Sequence, residues 1–519
     1  MAESFIEREF TPKRLFFWIF WFGSHIFLFV YGFIKQKDDP ELAHLTKIGL
    51  SVTVSRGAGL CLAYDGALIL LPVCRNIIKY LRLTFLNNLI PFDENLWFHR
   101  QCAYSMLLWT LVHTFAHYIN FIRVEELGIG KAWAVHYTHP GGITGHFMLL
   151  IMALMYTSAH RSLRQQSFET FWYTHHLAFF FMLCLYTHAV GCFVSTKPTP
   201  TEPKRCKGYF SWHWTIWGGI IYFFERVLRE VRSRQTTKIT KVIYHPSKAI
   251  EIQFQKPSFK YKAGQYLFLN VPEISSFQWH PFTITSAPDD PYVSVHVRQV
   301  GDFTNTLGEL LGCNNEKGAI PKDLPLLRID GAFGAPAEDV FKNEIAVLIG
   351  CGIGVTPFAS ILKNIWYQQQ NKGHSKLRRV EFFWICRDTG SFEWFQSLLK
   401  SLEDQQFEVG FLKFHIYLTS KLRESTIQNI IINDVSGSYD PLTDLESRTH
   451  YGRPNFSYIF SQLKKAIETG RYLPGKERDL ETNVGVYYCG PSALAKNLKV
   501  DTKNANSNGI RFHFHKEHF

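Results

Sequence analysis

Apolar and polar positions divide this chain into unlike halves. Before about residue 230, apolar runs long enough to cross the hydrocarbon of a bilayer as helices, each of about 17–25 residues, alternate with short polar segments. The candidate spans are about 15–34, 48–73, 97–119, 143–159, 170–192 and 212–228. Beyond them the period shortens to two, as in TKITKVIYHPSKAIEIQFQ, YLFLNV and YVSVHVRQV, the pattern of half-buried strands between Pro and Gly turns. From about residue 339 strand-like runs pass into helix-like ones: EIAVLIG into CGIGVTPFASILKNIWYQQQ, RRVEFFWICR into SFEWFQSLLKSL, NVGVYYCG into PSALAKNLK. That repeated switch argues for a parallel α/β sheet. The expected architecture is therefore multi-domain: a six-helix transmembrane bundle over 1–235, a small antiparallel β-barrel over 236–338 and an α/β nucleotide-binding domain over 339–519. The polar stretch NDVSGSYDPLTDLESRTHYG is expected to be the least ordered.

Charge orients the bundle. Arg75, Lys79, Arg82 and Arg100 flank the loop after the second span, Arg161 and Arg164 follow the fourth, and Arg226, Arg229, Arg232 and Arg234 follow the sixth. By the positive-inside rule these ends, with both termini, face the cytosol of a plasma membrane or endomembrane. Lys197, Lys204, Arg205 and Lys207 dissent, since they fall on the predicted outer side. The formal charge of +12 sits mainly at membrane edges, so anionic lipid rather than nucleic acid is the expected partner. The first span is too long for a signal-peptide core and is read as retained. The 10 cysteines show no CxxC or zinc spacing; Cys192 and Cys206 share the outer loop, where a disulfide is permitted.

Histidines carry the first chemistry. His99 and His113 lie fourteen apart in the third span, and His175 and His188 thirteen apart in the fifth. At about 1.5 Å per residue each pair spans roughly 20 Å on one helix face. A lone buried imidazole is usually a hydrogen-bonded polar residue of a bundle, whereas two matched pairs point to axial ligands for two haems, one near each membrane surface. Gly350, Gly352 and Gly354, with Thr356 and Pro357, form a turn between strand and helix where a pyrophosphate can meet bare backbone amides. His280, Pro281, Phe282, Thr283, Thr285 and Ser286, then His296 and Arg298, with Thr304 nearby, suggest a flavin site, Arg298 neutralising the pyrophosphate. Cys489, Gly490 and Pro491 close a strand where a nicotinamide can lie, and Arg387 and Arg453 are candidates for a ribose 2′-phosphate, which selects NADPH over NADH.

These motifs together resemble the catalytic subunit of the NADPH oxidase (NOX) family, phagocyte type without a calcium-binding extension, nearly end to end. RGAGLCLAYDGALILLPVCRN, FHRQCAYSMLLWTLVHTFAHYIN and FWYTHHL look like its membrane signatures; HPFTITSAP, GIGVTPFASILK, FWICRDTGSFEWF, YGRPNF, CGPSALA and FHKEHF look like its dehydrogenase signatures. The end departs slightly: Glu517-His518-Phe519 stands where relatives often have Glu-Asn-Phe, with Phe519, which in relatives covers the flavin, retained.

The resemblance implies a ferredoxin-NADP reductase-like dehydrogenase and four cofactors: two haem b, FAD and NADPH. His99 and His175 would hold the inner haem, His113 and His188 the outer one. Arg56 and His117 match family residues near the outer haem and the oxygen site, Arg56 stabilising the developing anion. NADPH supplies two electrons and haem iron takes one, so a flavin must convert between them. Electrons would pass outward to O2, yielding superoxide; because that is electrogenic, protons or cations must move to compensate. Implied partners are a small membrane subunit, cytosolic activators and a Rac-like GTPase, with the loop after the second span and residues 434–452 as docking candidates. The rival expectation is a transmembrane ferric-chelate reductase, which shares the bundle and the flavin module.

Overall fold

The computed structural model describes residues 12–88, 90–191, 195–197, 199–200, 203, 205–207, 212–245, 248–313, 323–370, 376–387, 393–404, 410–420, 439–470, 472–473 and 481–517. The chain divides into two compact units, residues 5–228 and 229–519.

The first unit is helical. Its longer helices are α1 (Pro12–Asp38), α2 (Leu50–Leu68), α3 (Asn95–Glu126), α4 (Pro140–Ala159), α5 (Phe168–His175), α6 (Ala178–Thr187) and α7 (Trp212–Ser233), with shorter helices at Arg75–Leu81, Ala132–Thr138 and Arg161–Gln166. Long apolar side chains form these helices and then face outward: Phe16, Ile19, Phe20, Ile26 and Phe27 of α1 are exposed, a surface that suits lipid rather than water. Inside, Met106, Ile151, Met152, Phe181 and Met182 make the packed centre.

Among the described residues, three helices are long and apolar enough to cross a membrane, at Arg14–Asp38, Leu50–Val73 and Pro140–Ala159. The expected fifth span is not one uninterrupted α-helix. The His176 and Leu177 amides donate to the Tyr173 and Thr174 carbonyls three residues back, at 3.2 and 3.1 Å, so the chain tightens between α5 and α6. His188 then falls in a further 3-10 turn, His188–Gly191. The dissenting basic loop has a local explanation. Lys207 Nζ lies 2.5 Å from Glu41 and 3.3 Å from Asp39, and Arg205 lies 3.8 Å from Glu41, so part of its charge is neutralised across loops. Cys206 is disulfide-bonded; Cys192, its expected partner, lies outside the described residues.

The second unit opens with strands β1 (Lys238–His245), β2 (Ala249–Gln255), β3 (Tyr266–Asn270), β4 (His280–Thr283), β5 (Val293–Arg298) and β6 (Arg328–Phe333), with helix α8 (Asp302–Leu310) between the last two. The expected barrel takes the form of two three-stranded antiparallel sheets, β1-β2-β5 and β4-β3-β6. A bridge between Ile284 and Val295 connects them. Alternation explains their shared core: Ile250, Ile252, Phe254, Val295 and Val297 turn inward while Glu251, Ser294 and His296 take the other face.

Strands β7 (Ile345–Cys351), β8 (Arg379–Cys386), β9 (Leu412–Leu418), β10 (His450–Tyr451), β11 (Thr482–Cys489) and β12 (Ile510–Lys516) follow, with helices α9 (Thr356–Gln370), α10 (Glu393–Asp404), α11 (Phe456–Glu468) and α12 (Ser492–Ala505). They build the expected parallel sheet, in the order β10-β9-β8-β7-β11-β12. Both faces are covered, which is why IAVLIG is a continuous apolar run: Ala346 and Leu348 pack on one side, Ile345, Val347 and Ile349 on the other. Part of the polar insertion has a local hydrogen-bonded centre. From Tyr439 on it folds around Asp440, whose carboxylate accepts from Leu442, Thr443 and Thr449 at 2.8–3.0 Å.

The last turn of α7 belongs to this unit. Buried Asp330 on β6 accepts from Arg229 Nε at 2.5 Å and Arg232 Nη2 at 2.6 Å. Because truncating one member of a buried pair strands the other charges, Asp330→Ala is expected to cost about 3 kcal/mol of stability. Thermal unfolding of the purified chain checks this, and a loss within experimental error of zero contradicts it.

Candidate functional site

α3 presents His99 and His113; α5 ends on His175 and α6 leads to His188. The His99 and His175 ring centres lie 6.1 Å apart, those of His113 and His188 6.3 Å. Two iron–imidazole bonds of about 2.0–2.1 Å, plus the distance from each ring centre to its nitrogen, add to about 6 Å. Hydrogen bonds to the far nitrogens orient the rings. His99 Nδ1 donates to the Ile69 carbonyl at 2.8 Å and His113 Nδ1 to the Ser55 carbonyl at 2.9 Å; His188 Nδ1 pairs with Thr144 Oγ1 at 2.8 Å. With Nδ1 protonated, His99 and His113 keep the Nε2 lone pair for a metal, the arrangement that ligating histidines use. His175 Nδ1 is buried and finds no partner among the described residues. His176 is turned away, exposed and bonded to the Trp172 carbonyl. The residues present fit two haems.

Beside the second pair, the His117 ring sits 4.5 Å from that of His113. Arg56 acts electrostatically on both. No carboxylate pairs with Arg56 among the described residues, which leaves its charge available for an anion. A cavity of about 460 Å³, its open mouth included, is lined by His113, His117, Tyr118, His136, His146 and His188 among others. No motif or spacing in the chain points to Tyr118 and His146. The His146 Nδ1 donates to the Gly142 carbonyl at 2.7 Å, so its Nε2 accepts from the Tyr118 hydroxyl at 3.0 Å.

In the second unit, β4 carries His280, Pro281, Phe282 and Thr283 at the edge of its sheet. His280 stacks on Phe303 of α8 with ring centres 3.8 Å apart, and burial pushes its imidazole down to about 4, so it is neutral at physiological pH. Arg298 ends β5 exposed, free to meet a phosphate. Other expected donors are committed elsewhere. Thr285 Oγ1 pairs with Ser294 Oγ and His296 Nδ1, each at 2.8 Å; Ser286 Oγ accepts from the Ser294 amide at 2.9 Å and pairs with Tyr261; Thr304 Oγ1 accepts from the Val300 and Gly301 amides at 3.0 Å. These hydroxyls build the turn after β4 and the start of α8. His296 is held down to about 3 mainly by burial, opposed by Glu251. His245, Glu251 and His296 bring ligand-type atoms within 4.8 Å of one another, but the Lys363 ammonium acts on Glu251 and His296 and works against a bound cation.

The nucleotide side sits at the carboxyl ends of β7 and β11, where the strand order reverses, the crevice in which open α/β sheets bind ligands. Gly350 and Gly352 bracket the end of β7, Gly354 falls in the following 3-10 turn, and Thr356 and Pro357 open α9. Cys489 ends β11 and Pro491 caps α12. A Cβ on Gly354 would stand 2.5 Å from the Cys489 carbonyl oxygen and one on Gly490 2.7 Å from Cys351 Cβ, so both turns need glycine to meet. α9 also fixes the flavin side: Ser360 Oγ donates to the Ser286 carbonyl at 2.6 Å and Tyr367 to Asp290 at 2.9 Å. Arg387 and Arg453 are exposed just past β8 and β10, on the carboxyl edge two strands apart, about 10 Å of sheet. Phe519 lies outside the described residues.

Three family models match in order: the ferric reductase like transmembrane component at 66–186, the FAD-binding domain at 234–337 and the ferric reductase NAD binding domain at 343–503. A superoxide-generating NADPH oxidase heavy chain of Dictyostelium discoideum is 39% identical over 96% of this chain and 95% of its own length. NADPH oxidase 1 of Rattus norvegicus is 36% identical, covering 97% and 98%, and NADPH oxidase 3 of Homo sapiens 34%, covering 96% and 97%. The chain belongs to the NADPH oxidase family. It is a membrane oxidoreductase with FAD- and NADP-binding domains behind a ferric reductase-like transmembrane component.

Gly354→Ala is expected to push the two turns of the nucleotide crevice apart at a cost of about 1–3 kcal/mol. Differential scanning calorimetry of the full chain checks this; an unchanged transition would mean that the contact is not needed.

Proposed function

We propose that this chain is a transmembrane NADPH oxidase that takes electrons from cytosolic NADPH through FAD and two b-type haems to O2 on the opposite side, releasing superoxide. The observation that carries the reading is the two facing imidazole pairs, spaced for iron at separate levels of one bundle. The chain partitions into a haem bundle over 1–235, an FAD domain with a barrel-like pair of sheets over 236–338 and an NADPH domain over 339–519. The bundle crosses the membrane with α1, α2, α3, α4, the α5–α6 pair and α7, both termini in the cytosol.

When bound, FAD splits the hydride of NADPH into single electrons and the haems relay them outward. The protein's part is binding and orientation. Backbone amides of the Gly350–Gly354 turn and the start of α9 receive the nucleotide pyrophosphate. Arg387 and Arg453 fork onto the 2′-phosphate, and the Cys489–Pro491 turn backs the nicotinamide. Pro281, Phe282 and Thr283 border the isoalloxazine with His280 braced behind by Phe303; Arg298 meets the flavin pyrophosphate, and Thr285, Ser286, His296 and Thr304 hold the frame. His99 with His175 clamps the inner haem, His113 with His188 the outer. Held by His113 and His188, the outer haem would supply electrons one at a time, and the cavity beside His117 would receive O2. Arg56 supplies the preplaced positive charge that favours the anion over neutral O2. A small membrane subunit, cytosolic activators and a Rac-like GTPase are the proposed partners.

His113→Leu tests the clamp: haem per chain, measured in the purified protein, is expected to fall from two to about one or fewer, with superoxide-dismutase-sensitive cytochrome c reduction abolished. Unchanged haem content refutes the ligand assignment, and ferric citrate reduction without superoxide selects the ferric reductase reading. For the nucleotide, Arg387→Ala with Arg453→Ala is expected to raise KM for NADPH about 10- to 100-fold while leaving NADH nearly unaffected. Steady-state kinetics with both nucleotides decide, and equal losses for the two remove the 2′-phosphate assignment.

A further inference from the structure

α1, α2 and α3 enclose an acid and an imidazole that none of the electron-transfer steps uses. Asp65 is fully buried and His25 is 4% exposed. His25 Nε2 lies 3.0 Å from Asp65 Oδ1 and 3.0 Å from Ser105 Oγ, while its Nδ1 lies 2.8 Å from the Trp21 carbonyl oxygen. A carbonyl oxygen only accepts, so Nδ1 carries a hydrogen. Nε2 then either bears a second hydrogen and donates to the carboxylate, or accepts one from a protonated Asp65. In both arrangements one exchangeable proton is shared along the His25–Asp65 axis, and with it the pair is neutral. Without it, Ser105 can still donate to Nε2, but a carboxylate charge is left in the membrane interior. There a charge is costly and an intramembrane acid is a functional candidate by default. The other carboxylate oxygen, Asp65 Oδ2, is buried with no hydrogen-bond partner among the described residues. A structural hydrogen bond alone would be served as well by uncharged amides.

The position is as telling as the chemistry. The turn that ends α2 offers the Ile69 carbonyl to His99, and α2 itself the Ser55 carbonyl to His113. Asp65 stands between these two contacts, about one turn from the first and about 15 Å along the helix from the second. Ser105 lies between His99 and His113 on α3. The pair therefore sits between the two levels at which the imidazoles face each other. The other titratable groups around it are Cys61 and Tyr64 of α2, Cys102 of α3 and Tyr156 of α4. Cys61 Sγ bonds to the His25 carbonyl at 3.4 Å, the Tyr64 ring lies 5.4 Å from that of His25, and Trp109 of α3 stacks on it at 6.2 Å. Thiols and phenols are ordinarily neutral near pH 7, so His25 and Asp65 are the groups whose charge can answer an electron.

We propose that His25, Asp65 and Ser105 form an intramembrane proton site that loads one proton when an electron enters the haem bundle and unloads it when the electron leaves. The inference rests on the haem-ligand reading above. In the loading step iron is reduced by one electron and one proton from the aqueous phase joins the unprotonated pair; the two charges cancel. On reoxidation the electron goes to the acceptor and the proton returns to water, so no bond other than N–H or O–H forms or breaks. An extra negative charge about 10 Å away in a medium of low dielectric raises proton affinity roughly tenfold or more, which is enough to couple the two events.

The test is redox titration of the haems in purified full-length chain in lipid nanodiscs, followed by absorbance from about pH 6 to about pH 9. The wild type is expected to show a midpoint potential that falls with rising pH, at most by about 59 mV per unit, the value for one proton per electron. Asp65→Asn and His25→Gln, with haem content intact, are expected to lose at least half of that slope. Reduced-minus-oxidised infrared spectra of the wild type give a second readout: protonation of the pair on reduction, seen as a carboxylic acid C=O band or an imidazolium ring band that shifts in D2O and is missing in Asp65→Asn. A flat wild-type titration, a wild-type slope in Asp65→Asn, or neither band on reduction each overturns the proposal. If the amide variants do not assemble, the wild-type slope and band decide. A wild-type chain that binds no haem sinks the ligand reading instead.

Discussion

Much of the bundle depends on one constraint: a buried imidazole nitrogen without a partner is costly, and of the four facing rings only that of His175 leaves Nδ1 without one among the described residues. For His99 and His113 the solution is visible on one side, where backbone carbonyls of α2 and its final turn take the Nδ1 hydrogens. That leaves Nε2 outside the backbone bond, with the facing ring centre 6.1 Å away for His99 and 6.3 Å for His113, a separation that suits an intervening metal. The Ser55 carbonyl lies within α2 and that of Ile69 just past its end, so α2 with its final turn sets the height of each ring.

The dehydrogenase unit solves a different problem, how to bring two nucleotides to one edge. Its flavin sheets use alternation to put apolar residues inside and the charged and hydroxyl-bearing residues outside, and its parallel sheet uses strand-order reversal to open a crevice. The join is made by hydrogen bonds from α9 to the turn after β4, through Ser360 and Tyr367. The hydroxyls of Thr285, Ser286 and Thr304 hydrogen-bond to neighbouring side chains and backbone amides.

Charge inside the bundle is handled sparingly. Arg56 stands near His113 and His117 with no carboxylate partner among the described residues, whereas Asp65 is tied to His25. Arg56 stands beside His113, and the Asp65–His25 pair lies between the two levels of facing imidazoles. The basic loop with Lys207 obeys the same economy, that side chain being answered by Asp39 and Glu41.

The order of domains, the parallel sheet, the paired histidines and the glycine turn were legible in the chain because each is a local pattern: a run length, a period or a fixed spacing. Where the pattern depended on a non-local partner, it was not. Nothing in FWYTHHLAFFFMLCLYTHAV announces the tightening at His176–Leu177, since those residues are compatible with plain helix and only tertiary context rotates the chain there. The His280–Phe303 stack joins residues 23 apart and the His25–Asp65 contact residues 40 apart. The antiparallel flavin strands read as a barrel because periodicity gives the face of each strand but not how the sheet closes. By itself the sequence determined which residues prefer lipid, core or nucleotide, since that follows from side-chain chemistry. Only the tertiary structure decided which imidazole faces which and which hydroxyls are already spent, because a hydrogen bond depends on distance and direction that no one-dimensional spacing contains.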